Sequence, residues 1–171
     1  TVVDADFTLM TSVETLTADA SVQLDATLGT LAAAAGLTTI TLAADTAGTE
    51  AIVVGAGFTN NLTVNFDIAG TGVNSVVATA YTGDLTVNAD SDELETTIQV
   101  ITGGTGSNDV LNYAIDDTGA GDLQSVTNVE KIVVSDGDTA TDEANTVTLD
   151  NANATYTSAT DYQTITVDAS A

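Results

Sequence analysis

Short alternating runs of β-branched and small residues recur along this chain at a nearly constant step. One series is Thr39–Ala43, Leu62–Phe66, Leu85–Ala89, Val110–Ala114 and Ile132–Asp136. Its anchors Ile40, Leu62, Leu85, Val110 and Ile132 follow one another at 22, 23, 25 and 22 residues. A second series is interleaved with it: Ile52–Ala56, Val76–Ala80 and Thr97–Ile101, at steps of 24 and 21. Two strands in every 22 to 25 residues, separated by Gly, Asn, Asp and Thr turns, predict an all-β chain wound as a β-solenoid, one coil per period. An aligned β-sandwich also spaces its strands at about 8–12 residues and is the alternative. The step shared by both series favours the solenoid.

A longer echo overlies the short one. Leu24-Asp25-Ala26 leads to Thr39–Ala44, and Leu149-Asp150-Asn151 leads to Thr164–Ala169, both at an offset of 125. Upstream, Ser12–Leu16 is echoed by Asn128–Ile132 at an offset of 116. The nine-residue difference falls in the acidic stretch Ser135–Ala144, expected to be a surface insertion. Residues 1–171 are thus expected to form a single β-rich domain, with 13–44 echoed by 129–169 as in a segment of a longer tandem array. Lacking an initiator Met and a signal-peptide pattern at its start, the chain reads as a processed or excised portion of something longer. A helical segment of up to two or three turns, or a loop, leading into a strand is expected within Asp25–Gly36, with Asp25 as its cap and Gly36 as its stop, and likewise in the less apolar Ala152–Tyr162.

Composition then limits what such a fold can do. The chain has 25 acidic residues against one basic residue, Lys131, and a formal net charge of -24. Nucleic acid is excluded as a partner, because phosphate binding needs clustered Lys and Arg. No apolar run of membrane-spanning length occurs, so membrane insertion is not expected either. The absence of Cys rules out disulfides and thiolate metal sites. With only three Phe and four Tyr, the core is expected to be thin and made of Val, Ile, Leu, Ala and Thr. Having one Lys and neither Arg nor His, the chain cannot build a Ser-His or Cys-His nucleophile, and a paired-carboxylate site at Asp116/Asp117 would lack cationic support. No enzyme activity is expected.

The stretch that carries the most chemistry is Ile101–Tyr113. Glycines at 103, 104 and 106 are expected to permit positive φ, so that several carbonyls converge, and Asn108-Asp109 then offers side-chain oxygens. Hard cations such as Ca2+ favour that mixture of carbonyl and carboxylate oxygens. Two further acidic turns are candidates. Asp116-Asp117-Thr118-Gly119-Ala120-Gly121-Asp122 is a degenerate glycine-acid turn, and Ser135-Asp136-Gly137-Asp138 places Asp136 and Asp138 on one side of another.

The segment Gly103–Leu111 resembles the calcium-binding nonapeptide of RTX proteins, with Asn108 at a position where that pattern has Asp. Together with Thr127–Ile132 and the Thr-Val-Thr-Leu-Asp run at 146–150, it makes the chain similar to the β-strand-repeat regions of bacterial surface-layer and RTX-type secreted proteins. That resemblance implies an extracellular, cell-surface location, calcium-dependent folding and assembly into lattices, filaments or adhesive coats. It also implies ligands: the turn carbonyls of Gly103, Gly104 and Gly106, and the oxygens of Asn108 and Asp109. The expected partners are copies of the chain itself, and cell-surface polysaccharide. A calcium-dependent adhesin or ligand-binding module of a large secreted surface protein is the alternative function.

Overall fold

The computed structural model describes residues 1–19, 22–42, 49–66, 73–90, 100–115, 120–123, 125–136, 146–148 and 166–168. They form a β-solenoid whose coils lay two parallel sheets against each other. One sheet takes β1 (Val2–Val3), β3 (Asp25–Leu28), β5 (Thr49–Val54), β7 (Val73–Val77), β9 (Val100–Thr102) and β12 (Val126–Thr127), in that order. The other takes β2 (Thr15–Thr17), β4 (Thr39–Thr41), β6 (Leu62–Asn65), β8 (Leu85–Asp90), β10 (Val110–Ile115), β13 (Lys131–Asp136) and β15 (Thr166–Asp168). Up to β13 each strand of one sheet pairs in parallel with its counterpart one coil later, and a strand of the opposite sheet lies in the connection. Parallel neighbours need a crossover of a dozen or more residues, which a coil of this length supplies. A sandwich built from hairpins would instead pair its strands antiparallel. Leu62 and Leu85 are direct partners, as are Val64 and Val87, so β6 and β8 lie side by side in one sheet.

Alternation within each strand sends every second side chain inward. Ile40, Val64, Val87, Leu111 and Ile132 make one continuous buried column, and Ala26, Ile52, Val76, Ile101 and Val126 face it from the other sheet. Phe7, Phe58, Phe66, Tyr81 and Tyr113 are also buried, and Phe58 lies tilted against Tyr81 with ring centroids 5.9 Å apart. Phe7, Phe58 and Tyr81 lie between strands, Phe66 directly follows β6, and Tyr113 lies within β10 in the inward alternation with Leu111. No threonine is buried among the described residues. Thr39, Thr63 and Thr86 line the outward side of their sheet, contrary to the expectation of threonine in the core.

Registers differ from the sequence spacing in three places. Ile40 pairs with Val64 rather than Leu62, and Leu111, not Val110, is the partner of both Val87 and Ile132. Asp109 takes the inward place after Leu85, which moves the apolar alternation along by one residue. In the facing sheet Ile101 rather than Thr97 pairs with Val76. The step from Ile132 to Val167 is longer than the others (167 − 132 = 35), and this interval contains β14 (Thr146–Thr148), paired with β11 (Ala120–Asp122) in a separate two-stranded sheet. The strands that carry the long echo, β2 with β4 and β13 with β15, sit at opposite ends of the seven-stranded sheet.

Asp25–Leu28 is a strand, and the helical turn comes after it as α1 (Thr30–Ala35), stopped by Gly36 at φ 100; the segment Ala152–Tyr162 lies outside the described residues. Its cap comes from another coil. Asp4, in a 3-10 turn over Asp4–Phe7, accepts hydrogen bonds from the backbone N–H groups of Gly29, Leu31 and Ala32 at 2.9, 3.1 and 2.8 Å. A carboxylate there satisfies donors that a short helix leaves open.

Leu85 tests the inward column. Leu85→Ala should lower unfolding free energy by about 2–5 kcal/mol in a urea titration. Leu85→Asp should cost more than Leu85→Ala, because it buries a second carboxylate next to Asp109. Equal stability of Leu85→Asp and wild type would contradict the register.

Candidate functional site

The turn between β9 and β10 holds five of the residues singled out in the sequence, and it is pressed between the corners of the coils before and after it. Gly103, Gly104 and Gly106 are not there for a left-handed backbone; among the described residues Gly36 is the one glycine with positive φ. They are there because nothing larger fits. A Cβ on Gly103 would overlap the carbonyl oxygen of Asn128, one on Gly104 would overlap that of Tyr81, and one on Gly106 would come within 2.7 Å of that of Gly83. The left-handed residue is Asn128 in the following coil, at φ 56, a conformation asparagine adopts more readily than most residues. Its side-chain amide donates to the carbonyls of Gly103 and Gly104. The turn is further stitched by Gly103 N to Thr127 O at 2.9 Å and Thr105 N to Tyr81 O at 2.7 Å.

Asp109 is the centre of the arrangement. It is fully buried, one coil beyond Leu85 in the same inward column. Both its carboxylate oxygens accept backbone N–H groups, Oδ1 from Leu85 at 2.8 Å and Oδ2 from Gly104 at 2.6 Å. Its carbonyl accepts from Glu130 N at 3.0 Å and Lys131 N at 3.1 Å, and its own N–H donates to Glu130 Oε2 at 2.8 Å. Three successive coils are therefore joined through one residue. Glu130 Oε1 is buried, and among the described residues it has no hydrogen-bond partner.

Burial dominates the electrostatics. It pushes the Asp109 carboxyl above its ordinary 3.8, against the lowering effect of the Leu85 and Gly104 donors, and the charge of Asp84 adds to the rise. Burial likewise raises Glu130 above 4.5; the N–H of Asp109 opposes this and the Asp109 charge reinforces it. The Tyr81 phenol is raised by burial first and then by Asp109 and Asp84. It donates to the carbonyls of Asn60 and Asp84, the latter at 3.2 Å.

Asn108 points away from Asp109. Its amide donates to Asp84 Oδ1 at 3.2 Å, and Asp84 Oδ2 accepts from Asn61 at 3.3 Å. Gly103, Gly104, Gly106, Asn108 and Asp109 are thus brought together, while the other candidates are placed elsewhere. Asp122 ends β11, and Asp136 ends β13 opposite Ile115, so both belong to strands rather than turns. Asp116, Asp117 and Asp138 lie outside the described residues. Among the described residues no group of three or more acidic, His or Cys side chains is placed to hold a metal ion. Glu130, Asp84 and Asn128 were not singled out in the sequence. Glu130 lies one coil after Asp109 (130 − 109 = 21), so the coil step itself was the signal that pairs them.

Compared with known proteins, the chain matches no protein-family model, no curated protein and no solved structure. The fold and this geometry define the protein's class: a parallel β-solenoid with a buried carboxylate at one coil corner.

Two predictions follow from the corner. Gly103→Ala should destabilise by about 1–3 kcal/mol through overpacking, read as a lower urea midpoint, because the Asn128 backbone must move. For Asp109 and Glu130 the folded pKa lies above the unfolded value, so the folded state binds their protons more tightly. Their contribution is therefore fully present below the ordinary carboxylate range and is lost as pH rises through the raised values. The wild-type midpoint, measured without calcium, should fall between about pH 4 and pH 7, and Asp109→Asn should fall less. Identical pH profiles for the two would remove Asp109 as a source of the dependence.

Proposed function

We propose that this chain is an extracellular structural protein, a surface-layer or filament-type subunit that is stabilised by calcium and assembles with copies of itself. One observation carries the reading: the described strands of both large sheets pair in parallel with their counterparts one coil along, so that inward and outward side chains repeat in register from coil to coil. An architecture of this kind is continued by any further coil that keeps the register, in the same chain or in another copy. A contact joining unlike ends of successive copies does not close on itself and propagates as a filament.

Calcium enters through charge. A chain of net charge -24 repels itself, and bound cations relieve that repulsion. The buried Glu130 Oε1, beside Asp109, supports a cation requirement at this corner, with oxygen ligands at about 2.3–2.6 Å. An ion bound by the folded state alone raises its stability by linkage.

Sedimentation velocity with and without millimolar calcium tests the proposal. Calcium should raise the unfolding midpoint and convert monomers into long assemblies, and Glu130→Gln should lose most of the midpoint shift. A stable monomer at all calcium concentrations would refute the assembly, and equal stabilisation by sodium chloride would reduce the calcium effect to screening.

A further inference from the structure

The outward side of the seven-stranded sheet is a regular array that the stacking of the core does not require. Thr15, Thr39, Thr63 and Thr86 form one column along the coil axis. Two residues further along each strand, Thr17, Thr41, Asn65, Asn88 and Asn112 form a second. The amides of the second column are linked head to tail, Asn112 to Asn88 at 2.7 Å, Asn88 to Asn65 at 2.6 Å and Asn65 to Thr41 at 3.3 Å. The linked amides hold the column in a fixed orientation. Beside the first column runs the corner ladder of Asn61, Asp84 and Asn108, and between them lies an open groove of about 710 Å³ floored by Thr39, Thr63 and Thr86.

In a chain with 25 acidic residues the described lining of this groove carries one carboxylate, Asp84, and that carboxylate already accepts from two amides. From β2 to β8 the groups of this outward strip are hydroxyls and amides, spaced at about 4.7–4.9 Å; in the later coils the same register positions carry Val110 and Lys131 in the first column and Val133 after Asn112 in the second. We infer that this groove binds an extended, neutral, β-linked polysaccharide laid along the coil axis. A pyranose in an extended β-linked chain is roughly as long as one strand spacing, and alternate sugars present the same face, so every second rung of Thr and Asn is met in the same way. A polyanion is repelled by the net charge. No aromatic ring lies on the strip among the described residues, since Tyr81, Tyr113 and the three Phe are buried. Contacts are therefore to sugar hydroxyls, weak per rung and additive along the groove, so affinity rises with glycan length. A single chain suffices, so this binding is separable from end-to-end assembly.

Affinity electrophoresis of the full chain in native gels containing hydroxyethyl cellulose tests the inference, with alginate gels as the polyanionic comparison. Cello-oligosaccharides of increasing length serve as competitors. Hydroxyethyl cellulose should retard the protein, alginate should not, and longer competitors should release it at lower concentration. Thr63→Glu with Thr86→Glu should weaken retention at least tenfold, while Val53→Glu, on the outward side of the other sheet, should leave it unchanged. Should the double Glu variant fail to fold by circular dichroism, Thr63→Val with Thr86→Val removes the hydroxyls, keeps the strand preference and should weaken retention in the same direction. Absence of retardation, equal retardation by alginate, or equal loss in Val53→Glu would overturn the inference. Shaping of ice crystals without glycan retention would overturn it too, assigning the same columns to a water lattice.

Discussion

Everything in this protein depends on the coil-to-coil register of parallel strands. Each backbone N–H and C=O in a strand is satisfied by the coil before and the coil after, so no coil is complete alone. In-register stacking places apolar side chains on one another, in places on their own kind: leucine on leucine at Leu62 and Leu85, valine on valine at Val64 and Val87. It repeats outward side chains as well, and the Asn65, Asn88 and Asn112 ladder is the same constraint expressed on the surface. A one-residue slip would turn every side chain of a strand to the wrong face.

Against that background Asp109 is the notable exception. A carboxylate in a column of leucines is costly unless its oxygens are hydrogen-bonded, and here each receives a backbone N–H, from a different segment. The glycines on either side are what let those segments approach. Gly103 and Gly104 have no room for a methyl group because Asn128 and Tyr81 present their carbonyls directly to them. The same corner is where two carboxyl groups are pushed above their ordinary values by burial, so its stability depends on protons.

The inside and the outward side of the solenoid present different chemistry. Inside, apolar columns run from coil to coil. Along the outward side of the larger sheet, from β2 to β8, the chain presents hydroxyls and amides at regular intervals, which suits a polar repeating ligand.

The strand positions and the period were legible in the sequence because strand alternation and turn residues are local signals, written in Leu62–Asn65, Leu85–Asp90 and Lys131–Asp136 themselves. The glycine turn was legible as a distinct stretch, but its glycines were expected to serve positive φ. What the sequence alone did not decide was register, because Val110 and Leu111 are both apolar and either can face inward. The tertiary structure chose Leu111, since Asp109 reaches the Leu85 and Gly104 donors only in that frame. It also decided the use of the glycines, which serve close packing against Asn128, Tyr81 and Gly83 rather than left-handed turns. Residues that act through partners a coil away, such as Asp4 capping α1 and Glu130 meeting Asp109, carry no local mark of it. Composition and spacing determined that this chain winds into a parallel β-solenoid; which side chain meets which was settled by stacking, because each contact belongs to two coils at once.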